Sequence, residues 1–414
     1  MTDHARQAPP EALALLQNKP LATLLDLLCQ DGGEARIVGG ALRNALLGHF
    51  VHEVDVTTTL LPEIVMARAK AAGLRGIPTG IAHGTVTVLV EGIPFEVTTL
   101  REDVETDGRH ATVQFGHDFA RDAERRDFTV NALSMSRDGR LYDYVGGLED
   151  LAARRIRFIG EARTRIREDY LRILRFFRFS ADYADGPLDA EGLSASIAER
   201  DGLAGLSKER IRAELLKLLA ARHAGIVVQE MSDAGLLGPL LGLAPNPGRL
   251  RRLIASKPEP TDLMPRLAAL CVVMPEDADR LRENLRLSNE EHKRLSAAAR
   301  ALMVLHGKDQ PPPVGELRTL LFEHGRQAAL DAVILARLDA RRGGEGWAEA
   351  EAFLRDTPEP RLPFSGMDLQ ARGFTEGRAL GAALKELQAR WIKAGFPQDP
   401  HLLAQLLDDV SSQK

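Results

Sequence analysis

Glu53 and Asp55 alternate with Val54 and Val56 in the run HEVDV, a spacing that sets two carboxylates on one face of a strand. Crowded carboxylates repel unless water, an arginine or a metal lies between them, although an exposed strand edge with solvated acids has the same spacing. A third acid, Glu96, stands in IPFEVTTL and shares its face with Pro94 and Thr98, while Phe95 and Val97 point the other way. If the two strands are neighbours, three carboxylates converge. They could then hold a divalent metal and accept a proton from an attacking hydroxyl. Upstream, Gly39 and Gly40 close the run ARIV and open the helical segment ALRNALL, with Arg43 in its first turn. Glycines there admit a ligand close to the backbone, a helix start offers free N–H groups to phosphate, and Arg43 can add a charged bond. A Gly-Gly turn alone is common. Followed so closely by an acidic pair on a strand, it reads as a nucleotide-plus-metal arrangement.

Further along, ERRDFTVNALS offers Arg126 to a phosphate and Asp127 to a ribose hydroxyl, or else forms a solvated surface turn. DYVGGLEDL holds a second Gly-Gly pair that reads as a structural corner without chemistry. In TRIREDYLRILRFFRFS, Ile166, Tyr170, Ile173, Leu174 and Phe177 form one apolar stripe at helical spacing, which predicts a single helix over 164–180. Glu168, Asp169, Arg172 and Arg175 fall on the other side, yet Leu171, Phe176 and Phe179 intrude among them. Charges so placed are costly unless paired or ligand-bound. Asp169 and Arg172, at i and i+3, could present an acceptor and a donor fork to a planar base. A buried ion pair locking two helices would use the same residues. LSKERIRAELLKLL begins with Ser207, has Glu209 and Arg210 in its first turn, and reads as a capped amphipathic helix.

The elements that must position these groups change character along the chain. Up to about residue 160 there are strand-like runs, ARIVGG, HEVDVTT, GTVTVLV and IPFEVTTL, with helical stretches near 61–72 and 118–125 between them. The last two runs flank Glu91-Gly92 and predict a hairpin. Beyond residue 160 helical periodicity takes over, broken at Ala244–Gly248, Lys257–Pro260 and Pro311–Pro313. The 414 residues, 44% hydrophobic, suffice for two or more cores. A net charge of −5 gives no global sign of a polyanionic partner, so nucleic-acid contact would rest on local basic patches. Cys29 and Cys271 are the only cysteines, which disfavours a disulfide framework or a cysteine zinc site. With no apolar stretch of roughly 18 residues, the expectation is a cytoplasmic protein.

Gly39-Gly40-x-x-Arg43, the acidic pair, RRDFTVNA, EDYLRILR and SKERIRAEL occur in this order. Together they resemble the class II tRNA nucleotidyltransferases, the CCA-adding enzymes and their bacterial poly(A) polymerase relatives of the polymerase β-like superfamily. The resemblance runs from about residue 36 to 220 and returns at 362–387. It implies an α+β fold: a helical extension (1–34), a nucleotidyltransferase head with a small mixed sheet (35–160), and an all-α neck (161–225), body (226–310) and tail (311–414). It implies that Glu53 and Asp55 bind Mg2+, and that Gly39, Gly40, Arg43 and Arg126 hold the triphosphate, with Asp127 near the ribose. It further implies that Asp169 and Arg172 template the incoming CTP or ATP, with Arg175 and Arg178 adding positive charge. tRNA would be the acceptor, and the segment 101–111 would be the flexible loop needed for the final A. The family usually has Asp where this chain has Glu53 and Asn44, which keeps a non-catalytic RNA-binding homologue as a reading of another class. A poly(A) polymerase or an A-adding enzyme is the enzymatic alternative. The acidic pI and a C-terminus without a basic run favour tRNA over arbitrary RNA.

Overall fold

Val86, Val88 and Val90 are buried between half-exposed neighbours, and Phe95 and Val97 are buried between more exposed ones, so both runs fold as strands with one wet face. Glu91 and Gly92, at φ 52° and 81°, join them in the tight hairpin their sequence predicts. The computed structural model describes residues 4–81, 84–106, 111–340 and 346–412. In chain order its strands are β1 (Ala5–Gln7), β2 (Ala35–Val38), β3 (Asp55–Thr58), β4 (Arg75–Gly80), β5 (Thr85–Val90), β6 (Ile93–Thr99), β7 (Arg101–Thr106), β8 (Ala111–Phe115), β9 (Ser134–Ser136) and β10 (Arg140–Tyr142). Eight form one mixed sheet in the order β1-β10-β9-β2-β3-β6-β5-β4, and β7 and β8 form a separate antiparallel ribbon. The segment 101–111 thus begins on β7 and ends on β8, while its residues 107–110 lie outside the described ones.

Every named pairing in the large sheet is antiparallel except one, β3 with β6, which sets Asp55 opposite Glu96. The residues before the head are mostly helical, and β1 also adds an edge strand beside β10. The α+β class expected from sequence is the observed one.

The chain divides into two compact units, Met1–Leu236 and Leu237–Lys414. In the first, the sheet is followed by helices at Ala162–Glu168, Leu171–Tyr183, Ala190–Ala198, Lys208–Ala220 and Ala224–Asp233. The second is helical throughout its described residues. There Leu295, Ala298 and Leu302 of one helix and Ala329, Ala332 and Val333 of another are buried, and Leu387 and Trp391 centre a separate apolar cluster. No helix among the described residues is long and apolar enough to cross a membrane.

Candidate active site

Asp55 opens β3 directly opposite Glu96 in the parallel pair and opposite Val38, the last residue of β2. The Gly39 turn therefore stands one strand away from the acid pair. The face assignment for β6 holds, with Phe95 and Val97 buried and Pro94 and Glu96 exposed. Glu53 is placed differently from the sequence expectation. It is exposed and lies two residues before the strand, because β2 offers no ladder partner beyond Val38. Among the described residues no three His, Cys, Asp or Glu side chains gather as a ready metal cage, so three-way convergence is not seen. The nucleus is the Asp55–Glu96 pair. Partial desolvation raises the Asp55 pKa, Glu96 and Glu53 push it the same way, and Arg126 opposes them. Two hard carboxylate donors in mutual repulsion fit a divalent cation whose other ligands come from water or phosphate.

Gly39 has φ 67°, a conformation that side chains rarely adopt, and a Cβ there would stand 3.1 Å from Nη1 of Arg126. Arg126 donates to the backbone carbonyl of Asn131 and, through Nε and Nη2, to Oδ2 of Asp122. Its guanidinium thus lies against the glycine turn. Arg43 is also close, with Nη2 3.4 Å from a Cβ built on Gly40. Each of its side-chain nitrogens, like those of Arg126, already has a protein partner, here Asn44, Asn131 or the Tyr183 hydroxyl, but Arg43 is also buried. Its guanidinium sits 4.1 Å from the Tyr183 ring centre. Arg43 ties the turn to the helical part of the unit, a role the sequence did not suggest.

RRDFTVNA is held by its aromatic residue. Phe128 is fully buried against Phe158, Phe176 and Phe179, with ring centres 4.9, 6.5 and 5.3 Å away. Aromatic packing of this kind fixes the flanking Arg126 and Asp127 relative to the Leu171–Tyr183 helix. Asp127 Oδ1 accepts from the Phe128 amide and from Asn131 Nδ2, and Oδ2 accepts from Nε and Nη2 of Arg175. Burial alone would raise its pKa, but Arg175 and the Asn131 bond outweigh it and hold the carboxyl below the usual range. Asp127 is therefore a structural anchor for Arg175 rather than a free acceptor. The second Gly-Gly pair is a corner, as expected. Asp143 Oδ1 accepts from the amides of Val145, Gly146 and Gly147, and a Cβ at Gly147 would lie 2.2 Å from the Thr129 carbonyl oxygen.

The expected single helix over 164–180 is two. It breaks at Asp169, whose φ −155° and ψ 107° are extended, and resumes at Leu171. Asp169 makes the break itself, since its Oδ1 accepts from the Leu171 amide. The Asp169–Arg172 side-chain pair expected from i,i+3 spacing does not form. Asp169 Oδ2 instead accepts from Nη2 of Arg210 at 2.6 Å, and Arg172 Nη1 donates to Glu168 at 2.5 Å. Nε and Nη2 of Arg172 have no partner among the described residues. Arg178 is paired with Glu214 and over the Phe179 ring, so like Arg175 it supplies no unpaired cation. Asn131 and Glu214 are residues that sequence reasoning missed, and Glu168 and Arg210 were noted there without a role. Their signals were present, as Glu168 and Arg210 sit inside EDYLRILR and SKERIRAEL, but their partners are long-range or cross a helix break.

Residues 35–157 match the model of the poly A polymerase head domain, and 188–246 match a probable RNA and SrmB-binding site of polymerase A. A mitochondrial CCA tRNA nucleotidyltransferase 1 from Danio rerio is 39% identical over 91% of this chain and 87% of its own length. The Homo sapiens protein of that name is 35% identical over 92% of this chain and 87% of its own. The crystal structure of the Bacillus stearothermophilus CCA-adding enzyme in complex with CTP superposes with a TM-score of 0.76 at 28% identity, covering 98% of this chain and 99% of that one. Relatives aligned over nine-tenths of the sequence and a neighbour matched over both whole chains leave one grouping: the chain belongs to the CCA tRNA nucleotidyltransferase family.

Proposed function

We propose that this chain adds or repairs the 3′-terminal CCA of tRNA, using CTP and ATP without a nucleic-acid template and releasing pyrophosphate. The observation that carries the reading is Asp55 opposite Glu96, one strand from the Gly39 turn on which Arg126 lies. In this scheme the tRNA 3′-oxygen bonds to the α-phosphorus as the bond to the bridging oxygen breaks. The hydroxyl proton passes to a carboxylate of the acid pair, within whose reach the attacking oxygen must lie. Asp55 and Glu96, with Glu53 beside them, would hold Mg2+, which when bound stabilises the attacking and leaving oxygens. Arg126 and the Gly39–Gly40 backbone grip the triphosphate, and Arg43 shapes that turn.

Base choice falls to Asp169 and Arg172. Cytosine presents O2 and N3 as acceptors beside an amino donor, and adenine presents N1 beside its amino group. A carboxylate that only accepts and a guanidinium that only donates can serve both. Uracil and guanine place a donor and a carbonyl where that pattern needs the reverse. Each group is separately held, Asp169 by Arg210 and Arg172 by Glu168, which orients them without quenching them on each other. The division into head, neck, body and tail, with a reducing compartment such as the cytoplasm, completes the proposal; Cys29 and Cys271 are free thiols.

The test is direct: incubate the protein with tRNA ending at the discriminator base, CTP, ATP and Mg2+, and sequence the 3′ ends. CCA ends are expected. Poly(A) tails, ends that stop at CC, or no extension at all would each overturn the reading.

A further inference from the structure

Arg165 touches both halves of the proposed site, and no step above uses it. It lies on the Ala162–Glu168 helix, and its side chain is only 12% exposed. Nη1 donates to both carboxylate oxygens of Glu168, at 2.6 and 2.5 Å. Nη2 donates to the main-chain carbonyls of Arg125 and Arg126, the second at 2.6 Å. The backbone carbonyl of Arg165 accepts from Nη1 of Arg172 at 2.8 Å, the same nitrogen that donates to Glu168. One residue is thus bonded to the Arg125-Arg126 main chain on the phosphate side and to the Glu168–Arg172 pair on the base side. From these contacts, and resting on the proposed function, we infer that Arg165 is a positioning residue: it fixes how far the base-reading Arg172 stands from the triphosphate grip of Arg126.

Few other side chains could do this. The guanidinium offers five donors in a rigid plane, so one nitrogen can serve a carboxylate while its neighbour serves two carbonyls. A lysine ammonium is a compact point and cannot span both. Burial and the nearby Arg172 work to lower the Arg165 pKa, and Glu168 opposes them. Nε is buried without a partner, so the orientation of the group follows its Nη bonds and not complete satisfaction of its donors. A residue kept only to fill space would not require a buried cation there. Arg172 can read a base correctly only if its donors meet that base while the triphosphate is gripped elsewhere, and that separation is what Arg165 holds.

Arg165→Ala should therefore relax the preference for CTP and ATP over UTP and GTP by about tenfold, the size of one misplaced hydrogen bond. Arg165→Lys should relax it too, while keeping the charge. Glu168→Gln should do the same, and the double variant Arg165→Ala, Glu168→Gln should lose no more selectivity than either single change, because both act on Arg172 through one chain of contacts. The assay is four-nucleotide competition on tRNA, with melting temperature measured on the same preparation. Selectivity that survives all of these changes while melting temperature falls overturns the positioning role, and so do selectivity losses that multiply in the double variant. The unmodified chain run in parallel separates the two claims. If it shows no selection for CTP and ATP, the proposed function itself fails; if it selects and Arg165→Ala selects equally, only the positioning role fails.

Discussion

Replacing Asp182 by asparagine should stabilise the protein near neutral pH. Asp182 lies in the last turn of the Leu171–Tyr183 helix, 3.6 Å from Nη1 of Arg178, with Arg43 and Glu214 facing it from two other helices. Burial pushes its pKa from an ordinary 3.8 up to about 6, against the pull of Arg178 and Arg43 and with help from Glu214. The folded state then binds this proton more tightly than the unfolded chain does. Stability contributed by Asp182 is thus present below the ordinary carboxylate pKa, falls as pH rises through the interval up to about 6, and stays low above it. At 1.36 kcal/mol per pH unit the full loss is about 3 kcal/mol. Asparagine keeps the shape and removes the ionisation, so Asp182→Asn should gain up to about 3 kcal/mol at pH 8 and almost nothing near pH 4. For a unit of this size that is a rise of about 6–12 °C in the melting temperature of the first transition. Circular-dichroism melts of both proteins at pH 4.5 and pH 8 give the comparison, with other carboxylates cancelling between them. An equal gap at both pH values, or a less stable variant at pH 8, refutes the reasoning.

Asp55→Ala should abolish nucleotide incorporation while leaving the melting curve unchanged or slightly higher, because it removes an accessible charge that repels Glu96. Parental activity in that variant would contradict the metal and base assignment. Glu53→Asp should retain incorporation, measured on the same tRNA, since Glu53 stands outside β3 and only its carboxylate is needed. Arg210→Ala should raise KM for CTP and ATP by about five- to 150-fold by freeing Asp169, which steady-state kinetics would show; an unchanged KM would remove Asp169 from base reading. Gly147→Ala should cost more than about 2 kcal/mol, as its Cβ meets the Thr129 carbonyl; a urea midpoint equal to the parent's would refute it.

Strands β2, β3, β5 and β6 were legible as short apolar or alternating runs, and Glu91-Gly92 marked the hairpin that carries Glu96, whereas β1, β4 and β7–β10 were not read from the sequence. What periodicity could not show was where a ladder runs out. Glu53 has the right parity for the face of Asp55, but β2 ends at Val38 and the pairing stops with it. The helix break at Asp169 was equally hidden. The apolar stripe continues through it, and an aspartate's local bond to the Leu171 amide outweighed that pattern. The i,i+3 rule then named the wrong partner for Asp169, since Arg210, about 40 residues later, reaches it instead. Arg43, Asp127, Arg175 and Arg178 were recognised as notable charges, and the structure shows them engaged with other protein groups. Local rules locate such residues, while the contacts that settle their roles are long-range.

The lone parallel pairing has a consequence for how the acid pair comes into being. Parallel strands cannot be joined by a tight turn, and between β3 and β6 the chain makes the Pro62–Ala71 helix, β4 and β5 before Glu96 can lie beside Asp55. The two carboxylates are about 40 residues apart in sequence, so no local fragment contains the pair. On a ribosome adding about 5–20 residues per second, Asp55 is synthesised seconds before its partner. The nascent head therefore lacks the acid pair until the crossover closes, and a truncated product ending before β6 would have the glycine turn and Asp55 but no carboxylate opposite it.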